Sequence, residues 1–344
     1  MAFDDINKAK KIGIYRKSFV VEATKKDEKP KISFIYYYYH NDKPVLKKDM
    51  DRINKLGIPP AYTDVWISID PNSKIQATGY DDRGRKQYRY HTKHIKDAER
   101  SKFLKMYKFI KVLPKLDKKI TNDYNQLKMY GKNTIIAFML LLINKYNIRV
   151  GKECYSQANN SYGITSLKKT HLYKLENGNI QLKFKAKSNK NVSYTIKDKK
   201  FIDLFNELLK LDGEKLFQYI KEDGSIYKVN DTDLNKYIQS TIGKEFTTKD
   251  LRTYSANINF IIALLNETKK NKPITKTIIK SNLDKAQEST ANSLKHTKNI
   301  SKKSYTVSLI RELYLTNTQW FIDNIKTDPI NLLTQILKIY KENG

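Results

Sequence analysis

Cysteine is nearly absent: Cys154 stands alone among 344 residues, so no internal disulfide can form. That fits a reducing compartment without requiring one. Long apolar runs are missing too. No stretch of about 20 apolar residues could span a bilayer, and the N-terminus reads as lacking a signal peptide. The longest apolar stretch, Ile135 to Ile143, reads as a buried helix. The five histidines and Cys154 show no metal-ligand spacing, and there is no P-loop to imply an ATP site. Asp231-Thr232-Asp233 has the look of a Mg²⁺ carboxylate pair, but it precedes an apolar helical pattern, which makes helix capping the expected role. Arginine is scarce: Arg16, Arg52, Arg83, Arg85, Arg89, Arg100, Arg149, Arg252 and Arg311 are all there are. A chain that defaults to lysine is expected to keep arginine where a planar, always-charged fork is needed.

Positive charge and apolar side chains are abundant. Lys+Arg number 66 against 36 Asp+Glu, a net charge of +30, and 39% of residues are hydrophobic. The apolar content supports a substantial core and argues against general disorder. The charge surplus repels itself unless a polyanion neutralises it, with nucleic acid the first candidate and an anionic membrane surface the second. A bland alternative exists, since AT-rich coding also yields Lys, Asn and Ile. No amphipathic basic helix recommends the membrane.

Two regions differ in pattern. The first hundred residues read as β-rich, with strands at Ser33–His40, Val65–Ile69, Lys74–Thr78 and Gln87–His91, and turn chemistry at Asp70-Pro71-Asn72-Ser73. From Asp97 onward apolar periodicity is helical over 102–113, 133–147, 201–210, 250–266, 304–324 and 329–341. A small sheet interrupts the helices: His171–Leu175 and Ile180–Ala186 joined through Asn177-Gly178, then Val192–Ile196. The Lys-rich stretch 268–303 reads as mobile before it meets a polyanion.

Four separated segments carry chemistry: Ile148-Arg149-Val150-Gly151-Lys152, Phe184-Lys185-Ala186-Lys187, Thr248-Lys249-Asp250-Leu251-Arg252-Thr253-Tyr254, and His296 through Ser304-Tyr305. Each alone is weak, because an arginine among helices is usually surface and a tyrosine usually core. Their order is more specific. Arg, Lys, Arg, then His with Tyr nine residues later resembles the catalytic pentad of type IB DNA topoisomerases, in particular the compact poxvirus type. Leu56-Gly57-Ile58-Pro59-Pro60-Ala61-Tyr62-Thr63-Asp64-Val65-Trp66-Ile67 and Gln76–His91 resemble that family's N-terminal signature, so the likeness runs from about residue 45 to about 310.

The resemblance implies an α+β fold of two lobes: a small β-rich DNA-clamp domain over 1–97 and a larger, mainly helical catalytic domain over 98–344 with a small β-hairpin sheet. It implies a monomer that closes on duplex DNA, relaxes supercoils by nicking and rejoining one strand through a 3′-phosphotyrosyl link, and needs no ATP, metal or other cofactor. Tyr305 would be the nucleophile, and a phenol with a pKa near 10 needs help to attack phosphate. Arg149 and Arg252 would clamp the phosphoryl oxygens, His296 would donate to a non-bridging oxygen, and Lys187 would protonate the 5′-oxygen. The turn 188–191 leaves Lys190 as an alternative acid, with Lys187 aligning better with the strand end. The group that accepts the Tyr305 proton is open. By the same resemblance Arg85, Gln87, Tyr88, Tyr90, Lys152, Tyr155, Lys249, Asn257 and Lys302 would touch DNA; for Tyr88 and Tyr90 plain strand packing is the alternative.

Ala186 and Ser255 stand where relatives often carry glycine. A tyrosine site-specific recombinase uses the same chemistry, but recombinases usually have His at the position of Lys249 and lack the 56–91 signature. A basic DNA-binding protein without activity is the remaining alternative, against which the intact pentad speaks. The expected place is intracellular, wherever the DNA is; the Lys/Asn/Ile bias suits a large DNA virus, hence the host cell's replication site, with packaging in the virion left open.

Overall fold

In the computed structural model the described residues are 12–21, 31–126, 131–270 and 275–343. The chain divides into two compact units, Met1–Ser101 and Lys102–Gly344. The fold is α+β, with a β-sheet region followed by a mainly helical core.

The first unit is a five-stranded antiparallel sheet in the order β2-β1-β3-β4-β5. Its strands are β1 (Ile14–Val21), β2 (Lys31–Tyr38), β3 (Thr63–Ile67), β4 (Ile75–Tyr80) and β5 (Lys86–Tyr90), and the helix α1 (Lys47–Lys55) lies between β2 and β3 in sequence. Side chains alternate between the two faces of a strand. The register therefore puts Ile14, Ile67 and Ala77 in one row, and these pack with Val65, Tyr36 and Ile53 of α1. The next row, Tyr37, Tyr15, Trp66, Thr78 and Tyr88, takes the opposite face. Three of the scarce arginines brace backbone here. Arg16 donates to the carbonyls of Pro59 and Pro60 at 3.1 Å each and to that of Tyr62. Arg52 reaches Ser68 O at 2.6 Å, and Arg89 reaches Gly57 O at 2.8 Å. The fork geometry suits this, because one guanidinium can serve several acceptors at once.

The long helix α2 (Thr92–Asn125) contains the division point, and the second unit continues through α3 (Lys132–Tyr146) and α4 (Glu153–Asn159). α3 is apolar all round and is accordingly the centre of the core. Phe138 meets the rings of Phe205, Phe201 and Phe217 at 4.8, 5.2 and 5.9 Å. A three-stranded sheet of β6 (Leu172–Lys174), β7 (Ile180–Ala186) and β8 (Lys190–Ile196) follows, with Ile180, Leu182, Phe184 and Ala186 of β7 buried in strict alternation. Next come α5 (Lys199–Lys210), a short hairpin of β9 (Gln218–Ile220) and β10 (Ile226–Lys228), α6 (Asp231–Ile242), α7 (Thr248–Lys270) and α8 (Lys276–Ser293). The chain closes with α9 (Lys298–Ile300), a π-helical turn (Ser301–Tyr305), α10 (Ser308–Thr316), α11 (Thr318–Asp323) and α12 (Pro329–Asn343).

Asp233 belongs to a capping box at the start of α6: it accepts from Asn230 N while Asn230 accepts from Asp233 N. It also pairs with Lys132 at 2.6 Å. Among the described residues no cluster of His, Cys, Asp and Glu could hold a metal ion, and no helix is long and apolar enough to cross a membrane. The expectation of mobility for 268–303 is corrected. Residues 271–274 lie outside the described residues, but α8 is a regular helix that buries Asn282, Leu283, Ala286, Gln287, Thr290 and Ala291. Half of those buried residues are polar, so an apolar period does not reveal the helix.

Truncating Phe138 to Ala should cost about 3–5 kcal/mol, because a well-packed aromatic cluster collapses poorly onto the hole. Urea denaturation of the wild type and the variant measures this, and a loss below about 1 kcal/mol would place the core elsewhere.

Candidate active site

The site grows from three chain ends that meet one guanidinium. α3 stops at Asn147, which takes a left-handed conformation with φ 53°. Arg252 on α7 is 6% exposed and donates to Asn147 O and, at 2.6 Å, to Leu294 O just past α8. A buried charge needs hydrogen bonds on every side it can get. Its two terminal nitrogens have them, whereas the buried Nε has no partner among the described residues. Its carbon lies 5.5 Å from the centre of the Tyr305 ring. Burial pulls the guanidinium below the ordinary arginine value, and the Tyr305 phenol pulls it back up.

Two residues beyond Asn147 stands Arg149, whose loop is pinned by a second strand of chain. Arg149 O accepts from Ile164 N at 2.8 Å, Val150 O from Thr165 N at 2.9 Å, and the Thr165 hydroxyl lies 3.1 Å from both Val150 O and Gly151 O. This approach is close enough to demand glycine. A Cβ on Gly163 would stand 2.5 Å from Gly151 N and 2.6 Å from Arg149 O; Gly151 itself has φ +80°. The Arg149 side chain is half-buried and makes no hydrogen bond or ion pair among the described residues. Its charge is felt at Arg252, His296 and Tyr194.

Leu294 leads to Lys295, left-handed at φ 54°, and then to His296, whose N–H returns to Ala291 O at 3.0 Å. His296 is 5% exposed and stacks on Tyr305, ring centres 4.9 Å apart at 18°. Burial, and then the charge of Arg252, hold its imidazole down to about 4. Nδ1 lies 3.3 Å from Thr297 O, and the buried Nε2 has no partner among the described residues. Tyr305 is the last residue of the π turn, closed by Thr306 N donating to Ser301 O at 3.1 Å. Its ring is half-exposed. Its carbonyl accepts from Asn257 Nδ2 at 3.0 Å, and Val307 N donates to Asn257 Oδ1 at 2.8 Å.

Arg149, Arg252, His296 and Tyr305 thus share one neighbourhood. Lys187 and Lys190 are both exposed and flank the β7–β8 turn, where Ala186 pairs with Lys190. The charge of Lys190 is felt at His296.

The residues expected at DNA are scattered in character. Arg85 pairs with Asp81 at 2.7 Å, and Gln87 donates to the same carboxylate at 2.9 Å. Hydrogen bonds from Arg85 hold Asp81 down to about 2. Tyr88 and Tyr90 stack at 6.0 Å and 12°, outside the apolar cluster of their unit, with Tyr90 exposed. Lys152 is exposed and stands 3.8 Å from Asp231; Lys249 and Lys302 are exposed. Tyr155 lies on α4, its side chain outside the described residues. Asn257 departs from expectation. It is 0% exposed, and its amide is taken up by Thr253 O, Tyr305 O and Val307 N, so it serves the chain that carries Tyr305 and has no surface to offer DNA. Sequence reasoning also passed over Asp81, Asn147 and Gly163, whose roles depend on contacts distant in the chain.

Residues 90–327 match the family described as eukaryotic DNA topoisomerase I, catalytic core, and residues 33–81 match the bacterial DNA topoisomerase IB N-terminal domain. The chain is 51% identical over 320 residues to DNA topoisomerase 1B of Acanthamoeba polyphaga mimivirus, covering 92% of this chain and 95% of that protein. It is 26% identical over 299 residues to DNA topoisomerase 1 of Rabbit fibroma virus, covering 85% and 89%. Identity to DNA topoisomerase I of Monkeypox virus is 28% over 274 residues, covering 76% and 80%.

A histidine held near 4 in the fold and near 6.5 in the unfolded chain lets the unfolded state bind more protons between those values. Stability from neutral His296 is therefore present above about pH 6.5 and lost as pH falls toward 4. Wild type should lose more melting temperature than His296→Gln between about pH 7 and 5, and parallel curves would contradict the burial of the ring.

Proposed function

We propose, on the premise that this chain belongs to the type IB DNA topoisomerase family, that it relaxes supercoiled duplex DNA by reversible attack of Tyr305 on one strand, without ATP or metal. The supporting observation is the convergence of Tyr305 with Arg252 and His296, beside the pinned loop of Arg149. In the attack the Tyr305 oxygen bonds to phosphorus and the sugar 5′-oxygen leaves, giving a 3′-phosphotyrosyl link and a free 5′-hydroxyl. The strand then swivels about its intact partner, and the hydroxyl attacks back to expel Tyr305. The phosphodiester energy stays in the link, so resealing draws on no nucleotide.

Charge accumulating on the phosphoryl oxygens is met by Arg252 and Arg149, each such donor lowering the barrier by on the order of 3–4 kcal/mol. Arg252 has no freedom to swing away, since two backbone carbonyls hold it. His296 supplies Nε2. Its Nδ1 faces Thr297 O, which can only accept, so the contact requires a proton on Nδ1. Keeping that contact while Nε2 donates to a non-bridging oxygen takes the imidazolium, which the phosphate charge favours. Lys187 protonates the departing 5′-oxygen. Lys190 is the second reading for that acid, favoured by its charge at His296. Gln87, Tyr88 and Tyr90 on β5, with Arg85 ordered by Asp81, face the DNA grooves from the first unit, and Lys152, Lys249 and Lys302 meet phosphates from the second.

Wild type should relax supercoiled plasmid in EDTA without nucleotide, and Tyr305→Phe should not, as read on an agarose gel. An inactive wild type, or an active phenylalanine variant, would overturn the reading. A strand carrying 5′-sulfur at the scissile position needs no acid for its leaving group. Lys187→Ala should therefore cleave the oxygen substrate slowly and the sulfur substrate at close to wild-type rate, with Lys190→Ala unrescued; the reverse pattern would assign the acid to Lys190.

A further inference from the structure

The nucleophile sits on an unusual piece of backbone. A π turn closes a wider ring than an α turn, packs its axis poorly, and occurs mostly as single turns at functional sites. Such a turn needs support from outside. One side is supplied by Asn257, which grips Tyr305 O and Val307 N, and Lys102 donates to Ser304 O at 2.8 Å. The other side is supplied by a residue to which neither the proposed chemistry nor the DNA contacts give any part.

That residue is Gln287 on α8, 3% exposed. Its Nε2 donates to Ser301 Oγ at 2.7 Å, at the first position of the turn. Its Oε1 accepts from Thr306 Oγ1 at 3.1 Å, at the residue after the last position. The same Oε1 accepts from Arg311 at 2.8 Å. Because arginine can only donate, the Arg311 contact fixes which end of the amide faces which partner. Ser301 is 0% exposed and Thr306 3%, so water cannot replace a lost bond. One amide therefore spans the turn end to end. It does so from the helix that delivers Leu294 to Arg252 and His296 to the Tyr305 ring.

We infer that Gln287 is a positioning residue for the Tyr305 nucleophile: its amide clamps the π turn from Ser301 to Thr306 and so sets where the phenol stands against Arg252 and His296. This rests on the reading of Tyr305 as the attacking group. Gln287 does not touch the reacting atoms; it acts through the turn. Misplacing a reacting group by about an ångström can cost on the order of a hundredfold in rate without weakening binding.

The test is single-turnover formation of the covalent complex on a duplex oligonucleotide whose short 3′ fragment escapes after cleavage. Gln287→Met keeps length and removes both ends of the amide; Ser301→Ala removes one arm only. Both should slow covalent-complex formation, by about ten- to a hundredfold for Gln287→Met and less for Ser301→Ala. DNA affinity, measured with Tyr305→Phe added to each, should stay within about twofold. The deficit should persist on the 5′-sulfur substrate, because the defect lies on the attacking side. Should Gln287→Met show no cooperative melting, Ser301→Ala decides alone. The inference is overturned if the folded variant cleaves within about twofold of wild type, if affinity falls in proportion to rate, or if sulfur restores the rate. A wild type that forms no covalent complex would instead overturn the reading of Tyr305.

Discussion

A buried guanidinium organises the candidate site. Arg252 binds the backbone of Asn147 and of Leu294 at once, and the chain leaving each of those points leads within two residues to Arg149 and to His296. Removing a cation from water is costly, so the protein must supply acceptors where the charge sits. Here the acceptors are the carbonyls that end α3 and α8. The demand for solvation at Arg252 is thereby a demand on the position of two other segments, and its guanidinium also lies 5.5 Å from the centre of the Tyr305 ring that stacks on His296. The site is a consequence of satisfying one charge.

Much of the fold could be read from the residues. Apolar alternation located β7 and its buried face, and the continuous apolar run 135–143 marked α3 as the core helix. The elements that escaped share physical reasons. β1 carries Arg16 and Lys17 in mid-strand, and β9 and β10 are three residues each, too short for any period to register. α8 was the largest miss. Amides and a hydroxyl make up half of its buried side, between Leu283, Ala286 and Ala291, which breaks the apolar stripe of an ordinary core-facing helix.

The same physics explains which parts of the site were visible. Arg149, Arg252, His296 and Tyr305 were singled out by order and spacing along the chain, and they meet in space. Asn257 and Gln287 are of another kind: polar side chains buried without charge, chosen by backbone groups far away in sequence. A lone asparagine beside Arg252 reads as a DNA contact from the sequence, yet its zero exposure turns it inward. The scarcity of arginine was a sound guide, although in the first unit it pointed to carbonyl clamps at Arg16, Arg52 and Arg89 as much as to binding.

The π turn has a further consequence for how such a chain can change over generations. Each residue of an α-helix advances about 100° around the axis. Deleting any one residue between Ser301 and Tyr305 would leave the bond from Thr306 N to Ser301 O closing an ordinary α turn, in which the remaining residues take those α steps and the phenol leaves the position that the wider ring gives it. Substitutions on the exposed positions Lys302, Lys303 and Ser304 leave the ring of backbone atoms the same size. What lineages must inherit at this point is therefore a length, while much of the spelling within it is free to drift.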